Sequence, residues 1–384
     1  MERKRSWTRS LPVLFAAFGC FGLFWGAFAV LLADLSRALN LSPGPLGFAL
    51  FVGAAASILA MVLLGWTADR LGRRPFLVLS GGVFGAGIAG LAIVGGYVGL
   101  LAVLAILYAA SGLYDIGINA AAVDLERAAG RRFMAVLHAT FSGGGVAGAL
   151  LGGVLLSAGV GFRYVYLAVL IPLGAVVLAV ALVRFPPSGR PLEDGEKMRH
   201  LRLYRNLPLL LLAAVATLGL LSEGEMEHWS GIYLRQTLAL PALLGASGVA
   251  VFHASMAAGR LGAAWTVGLF GNRRTLIGAG LMAAGGMALA LATLEPLLVV
   301  AGFLVVGLAL SAVVPVAFSV AGDLAPGRAG GAISVVTTLG YGGFLLGPVI
   351  VGGLAEVLGL RTALGTIAVA GFLIFTLSLH VKGS

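Results

Sequence analysis

Apolar runs long enough to cross about 30 Å of hydrocarbon at 1.5 Å per residue recur twelve times along the chain. They fall at roughly 11–33, 45–66, 75–95, 98–120, 133–158, 164–184, 208–234, 242–265, 275–294, 297–320, 329–355 and 362–380. Short polar segments rich in Gly and Arg separate them, and the pattern predicts an all-α membrane protein with 12 transmembrane helices. The longest polar stretch, Pro186 to Asn206, mixes Pro, Gly and both charge signs and divides the spans six and six, so it reads as a linker. It sets an N-terminal bundle at 1–185, a linker at 186–206 that is partly an amphipathic surface helix, and a C-terminal bundle at 207–384.

An internal repeat supports that division. Trp66-Thr67 followed by Gly72 matches Trp265-Thr266 followed by Gly271, and Asp124 matches Asp323, all at an offset of 199. An offset of 198 pairs Arg37 with Arg235 and Gly161-Phe162-Arg163 with Gly359-Leu360-Arg361. Two copies of a six-helix unit lying parallel in the membrane follow, with substrate sites expected near the midplane between them.

Composition agrees: 60% of the 384 residues are hydrophobic and 10% charged, against about 45–50% and about 25% in soluble domains. The basic start, MERKRSWTRS, runs into apolar sequence without an A-x-A cleavage pattern, which predicts a retained first span. The net charge of +10 would suggest a nucleic-acid partner in a soluble protein, but its placement says otherwise. With the N-terminus inside, twenty Lys and Arg lie in inner loops and termini against four outside, Arg37, Arg163, Arg235 and Arg361. The positive-inside rule then puts both termini in the cytoplasm and assigns the charge to topology and anionic lipid rather than nucleic acid. The single Cys20 supplies no disulfide framework or thiolate metal site. No cofactor or metal is expected.

Gly65-Trp66-Thr67-Ala68-Asp69-Arg70-Leu71-Gly72-Arg73-Arg74 fills the short loop after the second span. Its glycines permit a tight turn, its arginines anchor at the inner face, and Asp69 is placed to cap a helix N-terminus. A plain positive inner loop fits the same residues. The pattern G-x-x-x-D-R-x-G-R-R after the second helix resembles the signature loop of the major facilitator superfamily, and the 6+6 repeat extends that resemblance over the whole chain. It implies two pseudo-symmetric six-helix bundles and a cytoplasmic gate in which Asp69 and Arg70 latch the halves. Expected partners are Asp124 or Glu126 and the start of the eleventh span near Gly330 and Gly331. The second copy of the loop, Trp265 to Arg274, carries Gly268 and Leu269 where Asp69 and Arg70 would fall, so only the first copy forms a full latch.

The stretches Gly112–Glu126, Leu137–Gly145, Ser222–Leu234, Ala257–Trp265 and Thr337–Pro348 resemble the sugar-permease-like branch that contains fucose permease and many bacterial members. That resemblance implies a bacterial cytoplasmic membrane and a small polar substrate. One departure stands out: fucose permease couples through carboxylates on its first and fourth helices, whereas the first span here has only Asp34, at its outer end. Glycines at 144, 145, 148, 152 and 153, and again at 342, 343, 347, 352 and 353, form grooves on the fifth and eleventh spans for neighbouring helices. They are read as packing that also tolerates rocking.

Four acids, Asp115, Glu223, Glu225 and Glu227, lie at membrane depth. A charge there costs at least about 2.5–3.5 kcal/mol on insertion scales, so such groups face a cavity or a partner and mark ion or substrate paths. At 100° per residue Glu227 shares the face of Glu223 while Glu225 points nearly opposite, unless Gly224 unwinds the helix. Glu223 is the leading candidate for proton coupling or substrate binding, against a neutral, hydrogen-bonded structural glutamate. Glu227 is a second candidate, and Glu225 has interhelical pairing as its rival. His228 either shares a proton with a neighbouring acid or packs. Asp115 and Asn119 share one face of the fourth span; Asp115 either pairs with His138 at similar depth or faces the cavity. Arg260, the basic residue at depth, pairs with Asp323 or snorkels. With Arg70, Arg73, Arg74, Asp124 and Asp69 they complete the candidate gate. Trp25 and Trp229 are placed to stack on a sugar ring or flat cation, or to pack.

No G-x-x-x-x-G-K-[ST] and no soluble domain offers a nucleotide site, and no H-E-x-x-H or G-x-S-x-G suggests an enzyme. The residues therefore predict a monomeric secondary transporter working by alternating access, with a small-molecule substrate, protons and the lipid bilayer as partners. Drug-like efflux antiport, or a lipid transporter or scramblase, are the alternatives.

Overall fold

The computed structural model describes residues 10–131, 133–186, 202–324 and 329–381. Among them, 12 helices are long and apolar enough to cross a membrane. In lipid every backbone amide must be satisfied within its own segment, which is why apolar runs of this length become helices; Pro172, Pro315 and Pro348 lie inside them, where neighbouring helices and side chains can take up the carbonyls a proline frees. The first six spanning helices are α1 Ser10–Ala38, α2 Pro43–Leu64, α3 Arg73–Ile93, α4 Tyr97–Ala129, α5 Met134–Ser157 and α6 Phe162–Leu182. The second six are α7 Leu207–Ile232, α8 (242–270), α9 (272–292), α10 Pro296–Leu324, α11 Ala329–Leu358 and α12 Gly365–Ser378.

Contacts gather the chain into two units, residues 1–41 with 48–191 and residues 42–47 with 192–384. The expected linker falls mostly on residues 187–201, outside the described residues; Arg202–Arg205 form a 3-10 turn leading into α7. Boundaries depart from the apolar runs where helices outlast them. α4 continues past residue 120 to Ala129, so Asp124 sits inside a helix rather than in a loop. α8 and α9 form one run, Ala242–Ala292, broken only at Gly271 (φ 74°, ψ 165°). Apolar patterning marks the part of a helix that meets lipid; the polar turns beyond it still close their own hydrogen bonds.

The repeat is visible inside each unit by itself. Gly72 (φ 82°, ψ 156°) and Gly271 (φ 74°, ψ 165°) make the same left-handed turn at the offset of 199, a conformation that favours glycine. Arg163 donates to the carbonyl of Val94 (3.1 Å) and Arg361 to that of Leu291 (2.9 Å from Nε), closing equivalent loop ends.

In the first unit α1 packs along α5, and in the second α7 packs along α11. A Cβ on Gly144 or Gly148 would strike the backbone of Gly19 or Leu23; one on Gly343 or Gly347 would meet the carbonyls of Thr217 and Leu221. Gly144, Gly148, Gly343 and Gly347 are thus points of backbone contact, whereas Gly342 and Gly353 meet nothing within 4 Å. Gly148→Ala is expected to lower stability by about 1–3 kcal/mol, since α1 must be pushed away. Gly143→Ala, which meets nothing within 4 Å on the same helix, is not. Thermal unfolding of the two purified variants compares them directly; equal midpoints would contradict the contact.

Candidate functional site

α7 stays α-helical through Gly224, so the unwinding that a glycine there would allow does not occur, and Nδ1 of His228 lies 2.7 Å from the Gly224 carbonyl. The regular helix lets the 100° rule hold. Glu223 and Glu227 turn to α8, where an Arg260 nitrogen lies 3.1 Å from Oε1 of Glu223 and Nε2 of His253 lies 4.0 Å from Oε1 of Glu227. Glu225 turns the other way, to Thr366 at the start of α12, with 2.9 Å between Oε2 and Oγ1. α7 ends in a π-helical turn, Tyr233–Thr237.

The two contacts of the α7–α8 seam differ in access. The side chains of Glu223 and Arg260 are 21% and 36% exposed, those of Glu227 and His253 12% and 8%. An open ion pair therefore lies one helical turn from a buried acid–histidine contact. This corrects the expected partner of Arg260: its guanidinium is drawn to Glu223, not to Asp323. Asp323 is exposed and lines a cavity of about 670 Å³ between the ends of α7, α10 and α12, together with His380. His253 was not foreseen. Its signal was its position seven residues, two turns, before Arg260 on the same span, a spacing that puts both on one face.

In the first unit, Asp115 accepts the side-chain amide of Asn119 at 2.9 Å, one turn along α4, and no described contact joins it to His138. The shared face of Asp115 and Asn119 thus becomes a contact one turn along the helix, and the alternative pair with His138 is not among the described contacts. His138 is exposed and sets its ring edge-on to Phe18, centroids 5.4 Å apart. Trp25, half-buried, stands in an aromatic group with Phe21, Phe24, Phe28 and Tyr108, the last at 4.9 Å. Trp229 is 0% exposed, so it packs the bundle and presents no face for stacking on a solute.

Of the residues expected to form a gate, Asp69, Arg73 and Asp124 make a compact charge group within the first unit. Arg73, 7% exposed, donates from Nε to Asp124 (2.7 Å) and from a terminal nitrogen to Asp69 (2.7 Å). Arg73 rather than Arg70 thus takes the acids, because it lies at the buried start of α3 opposite α4. Arg70 rests over the Trp66 ring at 4.6 Å, and Arg74 is exposed. Glu126, expected near the latch, instead accepts from the amides of Phe133 and Met134 and caps α5. At the offset of 199, Arg73 becomes Asn272, so the second unit keeps the turn without this ion pair.

Twelve membrane-length helices in two units, with paired charges on the spans, make a polytopic membrane protein. Residues 14–294 match the profile of the Major Facilitator Superfamily, and the chain belongs to that family. An uncharacterized MFS-type transporter of Yersinia pestis is 30% identical over 354 residues, covering 92% of this chain and 90% of that protein. Membrane protein MosC of Rhizobium meliloti is 29% identical over 368 residues, covering 95% and 89%. The nucleoside transporter NupG matches with a TM-score of 0.81 at 14% identity over 97% of this chain and 100% of its own. A D-xylose-proton symporter matches at 0.75 and 14% identity over 98% of each. Identities this low show a shared fold alone. The protein is a multi-pass MFS transporter that carries a solute across a membrane.

Proposed function

We propose that the protein is a proton-coupled secondary transporter of a small neutral or cationic polar solute, sugar-like in chemistry. It would act by alternating access in the bacterial cytoplasmic membrane with both termini in the cytoplasm. The observation that carries this reading is the α7–α8 seam, with Glu223 on Arg260 at 3.1 Å and Glu227 on His253 at 4.0 Å. A carboxylate that can trade an arginine for a proton, beside a second acid and an imidazole, has the parts for binding and releasing a proton as access alternates. Two acids stand against one permanent cation there, a balance that disfavours anionic solutes. That one protein of the same fold is a D-xylose-proton symporter supports the coupling.

The test is a solute screen in proteoliposomes with a pH gradient imposed in either sense. An alkaline interior is expected to drive accumulation of a neutral polar solute such as a sugar or nucleoside. Accumulation only under the reverse gradient would turn the reading into antiport, and indifference of every transported solute to the gradient would overturn proton coupling.

A further inference from the structure

Thr366 makes two close contacts through one hydroxyl. Its Oγ1 lies 2.7 Å from the carbonyl oxygen of Ala363 and 2.9 Å from Oε2 of Glu225. A hydroxyl has one hydrogen to donate, and a carbonyl oxygen can only accept. With that hydrogen given to the nearer oxygen, that of Ala363, the second contact needs a hydrogen carried by Glu225. We propose that Glu225 is a proton-binding site, separate from the α7–α8 seam, whose carboxyl group holds a proton here and donates it to Thr366.

The surroundings support a neutral group. Glu225 is 0% exposed, and its Oε1 has no hydrogen-bond partner among the described residues. Among the described residues, no ion pair involves it. On its own helix Glu223 and Glu227 are turned to Arg260 and His253 of α8, and His228 to the carbonyl of Gly224. Beyond the helix, Arg235 of the π turn packs on Gly245. α11 presents Gly347, whose added Cβ would lie 3.3 Å from Cγ of Glu225, while Glu356 of α11 accepts from the amide of Gly44. The charged group of α10, Asp323, is exposed at its far end. Ahead of α12, Arg361 donates to Leu291, and at its far end His380 bonds Thr376. A bare carboxylate in this position would be a buried, uncompensated charge, which proteins avoid by protonation.

The site has a mechanical consequence. The last span makes a tight turn at Leu364 (φ −64°, ψ −13°), between the short helix Leu360–Ala363 and α12. When the Glu225 O–H bond breaks and its proton leaves to water, the one hydrogen of Thr366 is left for two acceptors and turns to the charged one. The Ala363 carbonyl then loses its side-chain donor at this turn, so proton loss at Glu225 loosens it. The inference does not rest on proton coupling at Glu223.

Infrared difference spectroscopy of the protein in lipid vesicles tests it. A protonated-carboxyl stretching band is expected at neutral pH, lost in Glu225→Gln and shifted in Thr366→Val, which keeps the acid but removes its acceptor. A band of full intensity in Glu225→Gln, or an unshifted band in Thr366→Val, would overturn the proposal. Should the glutamine variant fail to fold, the valine variant carries the test alone. Transport measured on the same vesicles separates the two ideas: a solute indifferent to pH gradients with the Glu225 band intact rejects only the coupling mechanism.

Discussion

Glu223→Gln is expected to reduce gradient-driven solute accumulation to the level of protein-free vesicles while leaving solute exchange at least partly active. Glutamine keeps the size of the side chain and still offers a carbonyl oxygen to Arg260, so the contact at 3.1 Å has a neutral substitute. What it loses is the ability to take up and release a proton. Exchange needs only binding and reorientation, whereas accumulation needs the proton to be carried in step. Arg260→Gln tests the other partner: with its cation gone, Glu223 loses its ion pair, and gradient-driven accumulation should fall as well. Accumulation by Glu223→Gln at the normal rate would remove Glu223 from the mechanism and shift attention to Glu227 and His253.

The second large effect concerns stability. Arg73→Leu is expected to destabilise the protein by about 3–5 kcal/mol, the range for breaking a buried ion pair from one side. Asp124 is 4% exposed, and Arg73 reaches it at 2.7 Å, so removing Arg73 leaves a buried carboxylate without its near cation. Arg127 lies at 3.9 Å and is 69% exposed, too loosely held to replace it. Arg73→Lys should recover only part of the loss, because an ammonium is a point charge and Arg73 bridges two acids with different nitrogens. The double change Arg73→Leu with Asp124→Leu should recover most of it. Thermal unfolding in detergent reads all three, with Arg74→Ala, at an exposed position, as the reference. A midpoint for Arg73→Leu equal to that of Arg74→Ala would show that the triad contributes no stability.

Much of this was legible before any coordinates. The twelve apolar runs marked the spanning helices because length and hydropathy are local properties read one segment at a time. The repeat was legible as matched glycines, and its structural sense, equal turns at Gly72 and Gly271, needs only that one residue type tolerates one conformation. The opposed faces of Glu223 and Glu225 followed from helical geometry, since Gly224 leaves the helix intact.

Partner choice was not legible in the same way. Arg260 had Asp323 as a plausible partner by sequence position and found Glu223, whereas the Asp115–Asn119 contact is local to one helix face and was legible in its spacing. The choice made by Arg260 depends on which helix faces lie against each other, a property of the packed bundle that no single span encodes. For the same reason Trp229 turned out to be core, and Thr366, unremarkable in an apolar run, turned out to hold Glu225. The amino-acid sequence determined the number of helices, the repeat and the acids that need an explanation, because lipid imposes those constraints on each segment separately. Only the tertiary structure decided which cation answers Glu223 and which hydroxyl answers Glu225, because that answer is a distance between side chains on different helices.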